Sequence, residues 1–140
     1  MTKKARTAEG KKIILDSNAL FVPSQFRIDI FEELRKLLNV NFEAVLLSLN
    51  LQELEQLADS ESPKMRKNAG FALRLAEKCR LVDVDERDGL SPDDVIVNVA
   101  KEWNCPVFTN DRQLRKRLRN INVPVIYVRQ KSRLMIDGRL

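Results

Sequence analysis

Short apolar runs with almost no polar position inside them dominate what this chain can become. Ile13-Ile14-Leu15, Ala44-Val45-Leu46-Leu47 and Val125-Ile126-Tyr127-Val128 are too short for buried helices and too continuous for strands with one wet face. They read as strands covered on both sides, as in a parallel sheet whose crossovers lay helices on each face. The stretches between them carry the helical period. After Ser24, apolar residues recur at Phe26, Ile30, Phe31, Leu34, Leu37 and Leu38; after Asn50 they recur at Leu51, Leu54, Leu57 and Ala58. Ser62-Pro63 and Ser91-Pro92 pair an N-cap with a first-turn proline, opening helices that run to about Cys79 and Trp103. Leu81 to Val84 alternates as a third strand, followed by a charged loop from Asp85 to Leu90. Val107-Phe108 supplies a fourth strand, and a short basic helix follows to about Asn120.

This alternation predicts an α/β three-layer sandwich around a mainly parallel, five-stranded sheet. The expected organisation is a flexible basic arm over residues 1–12, one domain over 13–129, and a basic C-terminal tail over 130–140. No apolar run approaches the roughly 20 residues of a membrane span, and the N-terminus lacks the apolar core of a signal peptide. A cytoplasmic protein with no membrane partner is the expectation. Cys79 and Cys105 sit in apolar patterns and read as packing residues rather than a disulfide or metal pair.

The ends of the strands carry the chemistry. Asp16 ends the first, Glu53 lies in the helix after the second, Asp93 and Asp94 open the helix after the third, and Asp111 follows the fourth. In an open parallel sheet these ends share one edge, where ligands bind. Each acid has a simpler role available: Asp16, Asp94 and Asp111 as helix caps, and Glu53 as a partner of Asn50 in a capping box. Single caps do not account for four acids at one edge. On a helical wheel Asp93 falls within about 20° of Ala100 on the buried face, whereas Asp94 points toward Asn98 and Lys101. Asp93 is therefore the better inward ligand and Asp94 the better cap. Converging carboxylates repel one another until protons or hard divalent cations such as Mg²⁺ or Mn²⁺ relieve them.

Histidine is absent from the 140 residues, which removes imidazole acid–base catalysis, Ser-His and Cys-His nucleophiles, and His-ligated zinc. No Gly-rich phosphate loop is present, against a kinase-like reading. The net charge of +5 is unevenly placed. Residues 112–133 hold Arg112, Arg115, Lys116, Arg117, Arg119, Arg129, Lys131 and Arg133 without an acid. A polyanion such as RNA is the partner that this patch suits.

The segments Leu15-Asp16-Ser17-Asn18, Glu53-Leu54-Glu55-Gln56-Leu57, Asp93-Asp94-Val95-Ile96 and Thr109-Asn110-Asp111-Arg112-Gln113-Leu114, in this order and at these intervals, resemble the PIN domain. The likeness covers residues 13 to 128, and is greatest to the PIN nucleases of small-subunit ribosomal RNA processing and their archaeal-type relatives. Toxin nucleases of toxin–antitoxin pairs share the same acids. The resemblance implies strand order 3-2-1-4-5, an acidic pocket, one or two Mg²⁺ or Mn²⁺ ions, and hydrolysis of single-stranded RNA, such as pre-ribosomal RNA. Asp16, Glu53, Asp93 and Asp111 match the catalytic and metal-binding acids, with Asp94 a further candidate ligand. Ser17, Asn18, Thr109 and Asn110 would support them, and the eight basic residues would hold RNA phosphates. A homo-oligomer, a protein partner such as an antitoxin, and an RNA-binding assembly factor that cleaves weakly are all compatible with the resemblance.

Overall fold

The computed structural model describes residues 11–84 and 89–140. Most of the expected arm, and four residues of the loop after the third strand, lie outside the described residues. Six strands form one sheet: β1 (Lys11–Leu15), β2 (Phe42–Leu47), β3 (Arg80–Val82), β4 (Val107–Phe108), β5 (Val125–Arg129) and β6 (Arg133–Asp137), in the order 3-2-1-4-5-6. The first five are parallel, as expected. The sixth is a correction: residues 133–137, expected only as part of a tail, pair antiparallel with β5 from Val125↔Asp137 to Arg129↔Arg133. Strand β1 also begins earlier than read, with Lys11 and Lys12 already in register with Phe42 and Glu43.

Alternation along the buried strands divides the core in two. Ile13, Leu15 and Leu46 pack on one face with Leu20, Ile30, Leu34, Leu54 and Ala72. Ile14, Val45, Leu47, Val107 and Val125 pack on the other with Ile96, Ala100, Leu114 and Leu118. The helices covering these faces are α1 (Val22–Phe26), α2 (Ile30–Leu38), α3 (Ser48–Ala58), α4 (Pro63–Ala76), α5 (Pro92–Trp103) and α6 (Arg112–Asn120). The single helix expected after Ser24 is two. Arg27 turns left-handed at φ 57° and ends α1, and Asp29 caps α2 through the Glu32 N–H. A 3₁₀ turn, Ser17–Phe21, links β1 to α1. Helix α3 starts at Ser48, so Asn50 lies inside its first turn and is not its cap. No helix among the described residues is long and apolar enough to cross a membrane.

Candidate active site

Strand β1 delivers Asp16 to the carboxyl edge of the sheet, where the carboxylate is 4% exposed. Such burial is costly for a charge unless donors surround it. Four do: the Ser17 N–H (2.8 Å) and Asn50 Nδ2 (3.4 Å) reach Oδ1, while Thr109 Oγ1 (2.7 Å) and Asn18 Nδ2 (2.9 Å) reach Oδ2. Thr109, fully buried at the end of β4, also accepts from Asn18 Nδ2 and from the Asp111 N–H. Asn18 Oδ1 accepts from the Asn110 N–H, and Asn110 Oδ1 from the Val128 N–H. The polar residues expected to support the acids thus tie β1, β4 and β5 together at one edge.

Glu53 joins from α3. Its Oε1 accepts from Ser17 Oγ at 3.0 Å and from Asn50 Nδ2 at 3.1 Å. Asn50 is the residue that sequence reasoning missed. Read as a cap, it is instead fully buried, and its amide nitrogen spans Asp16 and Glu53. Asn50 Oδ1 is buried without a hydrogen-bond partner. The available signal was an amide one turn before Glu53, on a helix whose start lies three residues earlier than read.

The electrostatics group the acids further. Burial first pushes the Asp16 carboxyl up to about 6; the Thr109 and Ser17 hydrogen bonds pull it down, and the charges of Asp93 and Glu53 push it up. Asp93 is raised too, by burial first and then by the charges of Asp111 and Glu53. Asp94, the next residue, is lowered, because the Ser91 N–H and the Arg117 guanidinium donate to it. Asp94 closes a capping box with Ser91 and pairs with Arg117 at 2.9 Å, whereas Asp93 feels the charges of Asp111 and Glu53. Asp111 caps α6 through Oδ1, accepting from the Gln113 and Leu114 N–H groups.

A family model described as a PIN like domain matches residues 13–131. The chain belongs to the PIN-like domain family. Ribonuclease VapC4 of Methanocaldococcus jannaschii is 37% identical over 91% of this chain and 97% of its own length. Ribonuclease VapC9 of Archaeoglobus fulgidus is 26% identical over 96% and 95%. Among solved structures, the PIN domain endonuclease Utp24 superposes with a TM-score of 0.72 at 27% identity, over 92% of this chain and 96% of that one. VapBC2 from Rickettsia felis, solved bound to a promoter DNA fragment, shares the fold at 18% identity and a TM-score of 0.61, over 84% of this chain and 99% of that one.

The basic residues of this PIN-like domain do not act as one patch. Arg115 and Arg119 both pair with Asp137 on β6, at 3.1 and 3.2 Å, and Arg117 is held by Asp94. Arg112, Lys116, Arg129 and Arg133 extend exposed from α6 and the β5–β6 hairpin, and Lys131 from the turn between them. As arranged, no three acidic, histidine or cysteine side chains among the described residues are close enough to hold one ion together. The donor set nevertheless has the right chemistry: carboxylate oxygens suit hard divalent cations, and the raised Asp16 and Asp93 mark charge in need of compensation.

Proposed function

We propose that this PIN-like domain is an endoribonuclease that hydrolyses single-stranded RNA with one or two Mg²⁺ or Mn²⁺ ions at the carboxyl edge of the sheet. The observation that carries the reading is Asp16: a carboxylate 4% exposed, held by donors from three elements, and in electrostatic reach of Asp93 and Glu53. Asp16, Glu53, Asp93 and Asp111 would hold the ions. A bound divalent cation supplies acidified water and neutralises charge at the phosphate, which suits a chain without histidine. The residues of the chain then do the positioning. Asn50 fixes Asp16 against Glu53, Thr109 and Asn18 fix Asp16 against β4, and Arg112 and Lys116 on α6 attract the phosphates that flank the cleaved one. Asp94 would complete the capping box of α5 behind Ser91 rather than act as a ligand.

The ribonuclease names of the two curated relatives support RNA as the substrate. Beside ribosomal RNA processing stands a second setting for the same chemistry, that of a toxin held by an antitoxin partner. The two settings share the chemistry and separate on expression: a toxin arrests growth of its host cell, and an Asp16→Asn variant does not.

The chemistry is tested by incubating labelled single-stranded RNA with the wild type and Asp16→Asn in Mn²⁺, Mg²⁺ or EDTA. Cleavage by the wild type alone, abolished by EDTA, is expected. Equal cleavage by both proteins, or cleavage untouched by EDTA, overturns the reading.

A further inference from the structure

A cavity of about 520 Å³ opens beside the end of β4, between the start of α6 and the β5–β6 hairpin. Thr109 and Asn110, the residues next to Asp111, form one wall; Arg112, Arg115, Tyr127 and Lys131 are among the others. Arg115 lies over the Tyr127 ring with its guanidinium carbon 3.7 Å from the ring centroid. Its Nε and Nη2 both donate to Asp137 Oδ2, at 3.2 and 3.1 Å. A guanidinium stacked on a ring and held by a carboxylate is largely neutralised and fixed in place, which makes it a poor phosphate clamp. It is a good flat platform: unstacked RNA bases pack on aromatic rings and on guanidinium planes. The cations of the lining that remain for a phosphate are the exposed Arg112, Arg129 and Lys131.

We infer that this cavity is a nucleobase subsite, which takes one base of single-stranded RNA against the Arg115–Tyr127 stack, next to the acidic pocket. The inference rests on the proposed RNA substrate and gives Arg115 a different role from the phosphate contact expected from sequence. The β6 strand is part of the device, because it carries Asp137, which holds Arg115 and Arg119 together. Gly138 follows Asp137 at φ 106°, a backbone conformation that favours glycine, and a Cβ there would also stand 3.1 Å from Pro124 Cα.

The test compares binding of a short oligouridylate with binding of an abasic ribose-phosphate chain of equal length, by fluorescence anisotropy in EDTA. The two probes carry the same phosphates and differ only in bases. The wild type is expected to prefer the oligouridylate by about tenfold, the size of a base–aromatic stack. Tyr127→Phe, which keeps the ring, should retain that preference. Tyr127→Leu and Arg115→Lys, checked for folding by circular dichroism, should lose it while binding the abasic chain like the wild type. Equal affinity of the wild type for both probes overturns the subsite, as does a preference that survives in Tyr127→Leu and Arg115→Lys. Absence of cleavage in Mn²⁺, with the base preference intact, would remove the nuclease reading and leave the subsite standing.

Discussion

At the amino end of the sheet lies a hollow of about 1410 Å³, lined by Lys11, Lys12, Lys78, Arg80 and Arg139 around Phe31 and Trp103. At the carboxyl end the space is smaller, and the polar groups are buried. The charges of the amino end are engaged locally and in the open: Lys12 sits 5.1 Å over the Trp103 ring, Lys78 5.4 Å over Phe31, and Arg80 pairs with Glu43. Exposed contacts of these kinds are worth about 0.5–1 kcal/mol each, and any one can be lost without consequence for its neighbours. At the carboxyl end Asp16, Asn50 and Thr109 are all but excluded from water and bonded to one another. An unpaired member there costs about 1–3 kcal/mol. The difference teaches that chemistry is marked by buried, mutually dependent polar groups and not by the size of a cavity.

The largest expected effect breaks or sharpens that contrast directly. Asp16→Asn should lower RNA cleavage by several kcal/mol of barrier, roughly 10³-fold. The double variant Lys11→Gln, Lys12→Gln at the opposite end should leave the rate per bound RNA near wild type. Single-turnover cleavage measures both. Loss of the chemical step in the lysine variant would place function at the wrong end of the sheet.

Next in size is a dependence of stability on pH. The Asp16 carboxyl stands at about 6 in the folded protein, above its ordinary 3.8. Between those values the native state binds more protons than the unfolded chain, so stability falls as pH rises. The contribution is therefore present below the ordinary value and is lost as pH climbs through about 6, amounting to at most about 3 kcal/mol. The shift of Asp93 has the same sign. Thermal unfolding of the wild type between pH 4 and pH 7.5 should show this loss, and Asp16→Asn should show less of it. Millimolar Mn²⁺ at pH 7.5 should restore stability to the wild type in preference to the variant. An identical pH slope in both proteins would mean that Asp16 is not the strained group.

A third effect follows from Thr109, whose one hydroxyl serves Asp16, Asn18 and the Asp111 N–H. Thr109→Val keeps the shape and removes all three bonds. About 1–3 kcal/mol of stability should be lost in denaturant titrations. Without that hydrogen bond the Asp16 carboxyl rises further, so the acid limb of the pH–rate profile should move to higher pH. A profile that stays in place would show that the hydroxyl is only structural.

These groups were unevenly legible in the sequence. Asp16, Glu53, Asp93 and Asp111 could be read because each follows a strand, and a parallel sheet gathers strand ends at one edge. The five parallel strands were legible through the same apolar runs, and their order 3-2-1-4-5 only through the resemblance to the PIN domain. Asn50 was hidden by a difference of three residues in where α3 begins, which turned an inward amide into an apparent cap. Strand β6 was hidden by its turn. Gln130 and Lys131 take positive φ of 55° and 59° where Asn or Gly would have announced a hairpin. The pairing of Arg115 and Arg119 with Asp137 went with it, since a basic run gives no hint of an acid brought in by a strand that cannot be foreseen.

The smallest effect is also the finest test of what burial does, because it compares neighbours. Asp93 and Asp94 occupy the same first turn of α5 and shift in opposite directions, Asp93 upward through burial and nearby acids, Asp94 downward through the Ser91 N–H and Arg117. Asp94→Ala removes the second half of a capping box and an exposed ion pair. The unfolding midpoint should drop slightly, while cleavage and the Mn²⁺ dependence stay near wild type. Asp93→Asn should do the reverse: it relieves repulsion from Asp111 and Glu53, so stability at pH 7.5 is held or raised, while the Mn²⁺ concentration needed for cleavage increases. Paired melting curves and Mn²⁺ titrations of the two variants separate these outcomes. If Asp94→Ala shifts the Mn²⁺ requirement and Asp93→Asn does not, then the exposed neighbour is the ligand, and burial has failed as the mark of function at this edge.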